Sequence, residues 1–227
     1  MGLVLSEDVY FCTANRQLAF LDVRADKYFA LPGNAESAFR KLVSNDCLTE
    51  DDFRALEPLR SRRILMPFEG PNNVRAEVKS PRPATSIVDE GPVKISPLEY
   101  WRVADAIAAQ LASRQFLRRH GLRNVIRKIA EDKVTGRRRA LGMKEPIDNS
   151  RTLAAFLFTR RLVTTQDQCL VWSIALVNLL ARHGTHVDLV IGVRMKPFRA
   201  HAWAQLDTAV LSDRLDTVAP YTPILVA

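Results

Sequence analysis

The stretch DQCLVWSIALVNLLARHG, residues 167–184, carries one thiol at the start of a long apolar segment. Asp167 is a good helix N-cap, and Gly184 is typical of a helix end. The apolar residues between them surround the helix axis, which predicts a helix buried on most sides. These residues are Leu170, Val171, Ile174, Leu176, Val177, Leu179 and Leu180. Cys169 is therefore expected in the first turn of a buried helix.

Two interpretations of Cys169 are open. A lone cysteine on an apolar helix is usually a core residue, because free cysteines are among the most buried side chains. However, Cys169 follows the polar run TTQDQ at 164–168, so it lies where polar chain meets apolar core. The positive end of the helix dipole would stabilise its thiolate. These features favour a nucleophile.

A nucleophilic cysteine needs a base. An ordinary thiol is only slightly ionised at neutral pH, so such cysteines pair with an imidazole whose orientation and charge a carboxylate supports. His201 begins the alternating strand HAWAQL, and acids follow at Asp207, Asp213 and Asp216. The residues therefore predict a site formed by Cys169, His201 and one of these acids.

Other residues are candidates for the same site. The backbone N–H of Cys169, together with the side chain of Gln166 or Gln168, is a candidate oxyanion hole. Trp203 is either a core residue or a wall of the substrate cleft. No metal is expected, since the three cysteines of the chain lie far apart without a CxxC pair. Their spacing also argues against a secreted disulfide framework.

Charge and hydropathy narrow the class of protein. The net charge of +8 is concentrated between Arg114 and Arg139, a segment with one aromatic residue, Phe116. This favours a solvated basic face, or a surface for an acidic partner, over nucleic-acid binding. The chain has no apolar run long enough to span a membrane and no export signal at its start. We expect a cytoplasmic protein with no membrane or nucleic-acid partner.

Proline marks the domain organisation. Six of the twelve prolines fall between residues 67 and 97, a segment without helical or strand periodicity. Proline stiffens the chain and removes hydrogen-bond donors, so 67–97 is predicted to be an extended linker. It would separate a small domain at 1–66 from a larger one at 98–227.

The first domain should be α+β. Short apolar runs at 9–15, 17–23 and 27–31 predict a meander of three antiparallel strands. Three helices should follow: one after Gly33, one capped by Thr49, and one over Leu56–Ile64. The KYFAL segment at 27–31 would leave an open sheet edge, which must be protected or used to pair with another chain.

The second domain should begin with helices and end with strands. A helix from Leu98 to His120 is predicted to end at Gly121, and RNVIRKIAED and SRTLAAFLFTRRLV predict two more before the helix of Cys169. HVDLVIGVRM, AHAWAQLD, AVLSD and YTPILVA then predict strands. A buried helix that begins with a thiol and precedes a strand containing histidine is the chain order of papain-like and transglutaminase-like folds.

Residues 98–227 resemble the protease domain of the B proteins of lasso-peptide biosynthesis. The resemblance rests on CLVWSIALVNLLARHG with Ser173 one turn after the thiol, on LVIGVRMKPFRAHAWAQLD, and on LSDRLDTVAPYTPILVA. It implies that Cys169 is the nucleophile, His201 the general base and then acid, and Asp213 the orienting carboxylate. Many relatives carry an acid where this chain has Gln205, so Asp207 competes with Asp213 for the last role.

Residues 1–66 resemble the PqqD-like leader-recognition domain of peptide-modification systems, a small winged-helix-like fold of three strands and three helices. The motif is LDVRADKYFALPGNAESAF. In that family a leader peptide pairs with the third strand and lies against the third helix. The resemblance therefore implies leader contacts by two groups of residues. They are Lys27, Tyr28, Phe29, Ala30 and Leu31 on the strand, and Leu56, Leu59, Arg60 and Arg63 on the helix.

Together the resemblances imply a leader peptidase for a ribosomal lasso-peptide precursor, working with a macrolactam-forming cyclase. The chain has no Gly-rich phosphate loop, so we expect no cofactor here and any ATP requirement in the cyclase. The alternatives are a precursor-binding chaperone without catalysis, acyl transfer to an amine by the same thiolate, and nucleic-acid binding by the basic cluster.

Overall fold

The computed structural model describes residues 2–90, 96, 99–140, 149–161 and 168–227. The chain forms two compact units, Met1–Val78 and Lys79–Ala227. The segment predicted to be a linker, 67–97, is therefore divided between the units. No helix in the described ranges combines the length and apolar character needed to cross a bilayer.

The first unit contains the predicted meander. Its strands are β2 (Val9–Ala14), β3 (Gln17–Asp22) and β4 (Lys27–Phe29), which pair antiparallel in that order. The β2–β3 turn places Asn15 and Arg16 at φ values of 50° and 67°. Positive φ at both turn residues matches the right-handed twist of a two-residue hairpin.

A second, two-stranded sheet was not predicted. It pairs β1 (Gly2–Leu5) antiparallel with β5 (Leu65–Phe68), and Leu3 lies opposite Pro67. Proline has no N–H to donate, but it fits a strand that pairs on one side only. The proline content of 67–97 favoured a linker, so strand β5, which ends inside this segment and belongs to the first unit, was not predicted.

Two helices complete the first unit, α1 (Gly33–Ser44) and α2 (Glu50–Ser61). Thr49 caps α2 as predicted, in a reciprocal capping box with Asp52. The prediction of a separate helix over Leu56–Ile64 is wrong, because α2 continues through Leu56 and ends at Ser61. Asp52, Leu56 and Leu59 are buried at helical spacing, so one continuous face joins the two predicted segments.

Aromatic rings form the centre of the first unit. The Phe20 ring lies 4.9 Å from the rings of both Phe29 and Phe39, and the Phe11 ring lies 5.1 Å from that of Phe39. Stacked and edge-on contacts of this kind stabilise a core beyond the burial of area alone. They join β4 to the central strand β3 and pack α1 against β3 and β2.

The longer helices in the described part of the second unit are α3 (Tyr100–Ala140), α4 (Ser150–Phe158) and α5 (Cys169–Arg182). α3 is interrupted at Gly121, which has φ 74° and ψ 170°, where the sequence predicts a helix end. α5 is the predicted buried helix, and its apolar side chains form the main core together with α3, α4 and the sheet. Its predicted cap, Asp167, lies outside the described residues.

A five-stranded sheet completes the second unit. Its strands are β6 (Thr85–Ser86), β7 (Asp188–Arg194), β8 (Arg199–Leu206), β9 (Ala209–Val210) and β10 (Thr222–Val226), and a short helix α6 (Leu215–Val218) precedes β10. The order is β10-β7-β8-β9-β6, antiparallel except for the β6–β9 pair. β7 to β10 match the predicted strands. β6 comes from the segment predicted to be a linker.

Candidate active site

Cys169 is the first residue of α5 and is partly buried. Gln168 precedes it, and its side chain makes no capping hydrogen bond. The N–H at such a position has no intrahelical acceptor and is available to a ligand. One turn further, the buried Ser173 donates its hydroxyl to the Ala202 carbonyl at 2.9 Å. This hydrogen bond ties α5 to β8 and places the thiol beside that strand.

His201 lies on β8, opposite Gly192 of β7. The imidazole packs near the Tyr221 ring, at 5.4 Å between centroids, and the Trp203 ring, at 6.3 Å. Gly192 makes this packing possible, because a Cβ there would lie 2.8 Å from the Trp203 ring and 2.9 Å from the Tyr221 Cβ. The position opposite His201 on β7 therefore requires a glycine.

Asp213 is the acid that faces His201. Its Oδ2 lies 3.6 Å from Nε2 of His201, and within the described residues that nitrogen has no hydrogen-bond partner. The contact is longer than a hydrogen bond, as catalytic contacts often are without substrate. With Nε2 facing the carboxylate, Nδ1 is the nitrogen left for the thiol. Asp207 is exposed in a turn with φ 50°, and Asp216 is paired with Arg214.

Two neighbours hold the Asp213 carboxylate. Ser212 donates its hydroxyl to Oδ2 at 2.8 Å, and Arg160 donates Nη2 to Oδ1 at 3.0 Å. The main chain of Asp213 is also fixed, because its carbonyl accepts a hydrogen bond of 2.6 Å from the hydroxyl of Ser86. Each oxygen of the buried carboxylate therefore has a donor, and the carboxylate orientation is defined.

The electrostatics favour an ion pair between sulfur and imidazole. Burial raises the pKa of the Cys169 thiol, but the hydrogen bond and charge of His201 and the N–H groups of Ala202 and Leu170 hold it below its ordinary value. Burial lowers the pKa of His201, yet its contacts with Asp213 and Cys169 raise it to about 9. Both shifts favour the state in which the imidazole carries the proton and the sulfur is a thiolate.

Asp213 remains ionised in the same arrangement. Burial raises the pKa of its carboxyl, but His201, Arg160 and the Ser212 hydroxyl outweigh burial and hold it below its usual range. An ionised carboxylate stabilises the imidazolium and fixes its orientation. Together, the three side chains can form a thiolate nucleophile and supply a proton from the ring.

The other predicted residues of this site occupy different places. Gln166 lies outside the described residues, and Gln168 is partly buried directly before the thiol. Trp203 is 1% exposed, so it is a core residue in this structure and does not wall a cleft. Its indole N–H donates to Gln205 at 2.8 Å. Gln205 in turn donates to the carbonyls of Pro81 and Asp207, so this departure from the family pattern satisfies main-chain groups.

Sequence reasoning missed three residues of the site: Arg160, Ser212 and Ser86. Arg160 is one of many basic residues in this chain, and nothing in its spacing distinguishes it. Ser86 falls in the segment predicted to be a linker. Only Ser212 carried a signal, because it precedes Asp213 directly. Within the described residues, no cluster of three or more histidine, cysteine or acidic side chains could hold a metal ion.

The residues predicted to bind a leader lie on β4 and α2 of the first unit. β4 is an outer strand of the meander, with Lys27 exposed and Tyr28 and Phe29 partly buried, and beyond it Ala30 is exposed and Leu31 partly buried. The helical candidates differ from one another. Leu56 and Leu59 are core residues, whereas Arg60 and Arg63 are exposed, the former paired with Glu57 at 2.8 Å.

Comparison with known families supports the fold of the second unit. A family model described as the transglutaminase-like superfamily matches residues 106–226, more than half of the 227-residue chain. The match spans Cys169, His201 and Asp213. A search of curated proteins and a search of solved structures gave no match. The chain therefore belongs to the transglutaminase-like superfamily.

Proposed function

We propose that this protein is a cysteine peptidase that removes the leader from a ribosomal lasso-peptide precursor in the cytoplasm. The observation that carries the proposal is the convergence of Cys169, His201 and Asp213 from three separate segments. A structural cysteine needs neither an imidazole beside it nor a carboxylate behind that imidazole. The lasso-peptide assignment is supported by the sequence resemblance over 98–227.

The reaction would proceed through an acyl-enzyme. The Cys169 thiolate attacks the carbonyl carbon of the last leader residue, and the tetrahedral oxyanion accepts hydrogen bonds from the Cys169 N–H and a polar neighbour such as Gln168. The imidazolium of His201 gives its proton to the departing amine, and the C–N bond breaks. The core peptide leaves with a free N-terminus.

Water then completes the cycle. His201, now neutral, takes a proton from water as the oxygen attacks the thioester carbonyl. The C–S bond breaks, the leader leaves with a new carboxylate, and the thiolate–imidazolium pair is restored. Asp213 stays ionised throughout and supports the charged ring. The freed core amine is the group that a partner cyclase needs to form a macrolactam, and any ATP requirement would belong to that partner.

The first unit would hold the leader. β4 is short and lies at a sheet edge, so an extended peptide could pair with it through Lys27–Leu31. Arg60 and Arg63 are exposed and could contact the leader directly, whereas the buried Leu56 and Leu59 would act by supporting α2. Tethering the leader-binding unit to the peptidase unit raises the effective concentration of the scissile bond at the thiol.

Cleavage of a precursor by the purified protein, with and without the cyclase, tests the proposal. We expect leader and core products in mass spectra, and no products with Cys169→Ala, which should retain leader binding. Cys47→Ala is the matched control, because Cys47 is an exposed thiol of the first unit. Undiminished cleavage by Cys169→Ala would refute the peptidase. Tight leader binding without cleavage under any condition would favour the chaperone alternative.

Membership of the transglutaminase-like superfamily keeps acyl transfer as a second candidate. The same thioester can be intercepted by an amine in place of water. The products separate the two reactions: in water enriched in ¹⁸O, hydrolysis labels the new leader carboxylate, whereas transfer to an added amine yields an unlabelled amide of higher mass. We expect the labelled carboxylate.

A further inference from the structure

Arg160 approaches the candidate site from outside the predicted triad. It lies in the 3₁₀ turn Thr159–Arg161 that follows α4. Its Nη2 donates to Oδ1 of Asp213 at 3.0 Å and also to the carbonyl of Ser212. Its guanidinium lies over the Trp172 ring, 5.4 Å from the centroid. Arg160 therefore contacts both the side chain of Asp213 and the main chain of the residue before it.

The turn that carries Arg160 is firmly anchored. Thr159 is fully buried, and its hydroxyl donates to the Phe156 carbonyl and accepts from Gln110, both at 2.7 Å. The Trp172 ring beneath the guanidinium is buried and packs on Phe156 at 4.5 Å. A guanidinium held by an aromatic face and a fixed turn is pre-organised to bind a carboxylate.

The charges around Asp213 give Arg160 a specific effect. In the described part of the chain, the charged groups in contact with this carboxylate are Arg160 and His201. Arg214, the next residue, pairs instead with Asp216 and Asp89. Arg160 occupies Oδ1, so Oδ2 is the oxygen directed at the imidazole.

We propose that Arg160 is a positioning residue that holds the Asp213 carboxylate ionised and oriented toward His201. Its consequence for catalysis rests on the proposed peptidase function. The guanidinium stabilises the Asp213 carboxylate directly, and that carboxylate supports the imidazolium that pairs with the thiolate. Its loss should raise the pKa of Asp213, and a carboxyl that becomes protonated at a higher pH withdraws its support from the imidazolium and the paired thiolate at that pH.

The test measures thiolate reactivity without any substrate. The rate at which iodoacetamide alkylates Cys169 is followed as a function of pH in the full-length protein. Peptide-level mass spectrometry separates Cys169 from the exposed Cys47 and from the buried Cys12, whose pKa burial raises to about 12. The acid limb of this profile reports the pH at which the ion pair with His201 is lost.

Three variants separate charge from packing. Arg160→Gln should move the acid limb upward by about one pH unit, the usual effect of losing a close opposite charge. Arg160→Lys retains the charge and should leave the limb near its original pH, with a lower rate throughout. Arg151→Gln, which breaks the exposed pair with Glu99, is the matched control and should change neither.

An unmoved acid limb in Arg160→Gln with a lower melting temperature would assign Arg160 to packing alone and overturn the proposal. If the glutamine variant does not fold, Arg160→Met decides, because it retains an apolar contact for the Trp172 ring and removes the charge: an upward shift of the limb supports the proposal, and an unmoved limb overturns it. Because alkylation needs no precursor, the result is independent of peptidase activity.

Discussion

Replacing Gly192 by alanine should displace the Trp203 and Tyr221 side chains, whose rings pack near His201. The new Cβ would lie 2.8 Å from two ring atoms of Trp203 and 2.9 Å from the Cβ of Tyr221. Carbon atoms pack at about 3.5–4.0 Å, so the overlap is about 1 Å. Neither neighbour can move easily, because the indole is 1% exposed and the other atom adjoins the backbone.

The expected cost is near the upper end for overpacking, about 3 kcal/mol. In a domain of this size it corresponds to a fall in melting temperature of about 6–12 °C. Both displaced rings contact His201, so the alkylation rate of Cys169 should also fall, by about tenfold or more. Calorimetry and the iodoacetamide assay measure the two effects.

Two further variants test the cause. Trp203→Phe removes the ring atoms that clash, so Gly192→Ala should cost at least about 1 kcal/mol less in that background. Gly33→Ala is the control glycine, since nothing lies within 4 Å of its added Cβ. A fall in melting temperature of less than about 2 °C for Gly192→Ala, which corresponds to less than about 1 kcal/mol, would contradict the steric argument.

Four other predictions concern the candidate site, the helix that carries Cys169 and the first unit. Peptidase activity should decline as pH rises through about 9, where His201 loses the proton for the leaving amine. Asp213→Asn should move this basic limb downward, because the carboxylate raises the pKa of that imidazole; an unmoved limb would exclude the orienting role. Ser173→Ala should cost about 1–2 kcal/mol in urea unfolding and slow alkylation of Cys169, since it removes the hydrogen bond between α5 and β8 and leaves a buried carbonyl unpaired. Thr49→Ala should destabilise the first unit by about 1 kcal/mol through loss of its helix cap, and an altered alkylation rate of Cys169 in this variant would contradict a local effect.

Local patterns predicted the scaffold of the site. The apolar periodicity around Cys169 and the alternation after His201 depend on short-range burial, so α5 and β8 formed where the sequence indicates them. The Gly121 interruption and the Thr49 cap likewise follow from conformational preferences of single residues. The residues alone offer three acids and the resemblance leaves Asp213 and Asp207; in the structure Asp213 faces His201, whereas Asp207 is exposed.

Long-range contacts could not be predicted in the same way. Arg160 lies 53 residues from Asp213 in the chain, and no periodicity relates the two. β5 and β6 are short, and each depends on a partner strand that the local sequence does not specify. Their proline-rich surroundings favoured the prediction of an extended linker. Proline content is a property of the local sequence, whereas strand pairing depends on a partner that is distant in the chain. The sequence also predicted two helices where the structure has the single helix α2. The basic residues after Leu59 are typical of a helix C-terminus, which favoured a separate helix over Leu56–Ile64.

The pairing of β6 has a practical consequence for dividing the chain. Ser86 lies on this strand and donates to the main chain of Asp213, and Pro81 accepts from Gln205. A shortened protein that starts at residue 98 would lose strand β6 of the sheet and the hydrogen bond that supports Asp213. Cutting near residue 79 would retain both, so the stretch that looks like a spacer belongs to the second unit and should be kept in any shortened protein that is tested for activity.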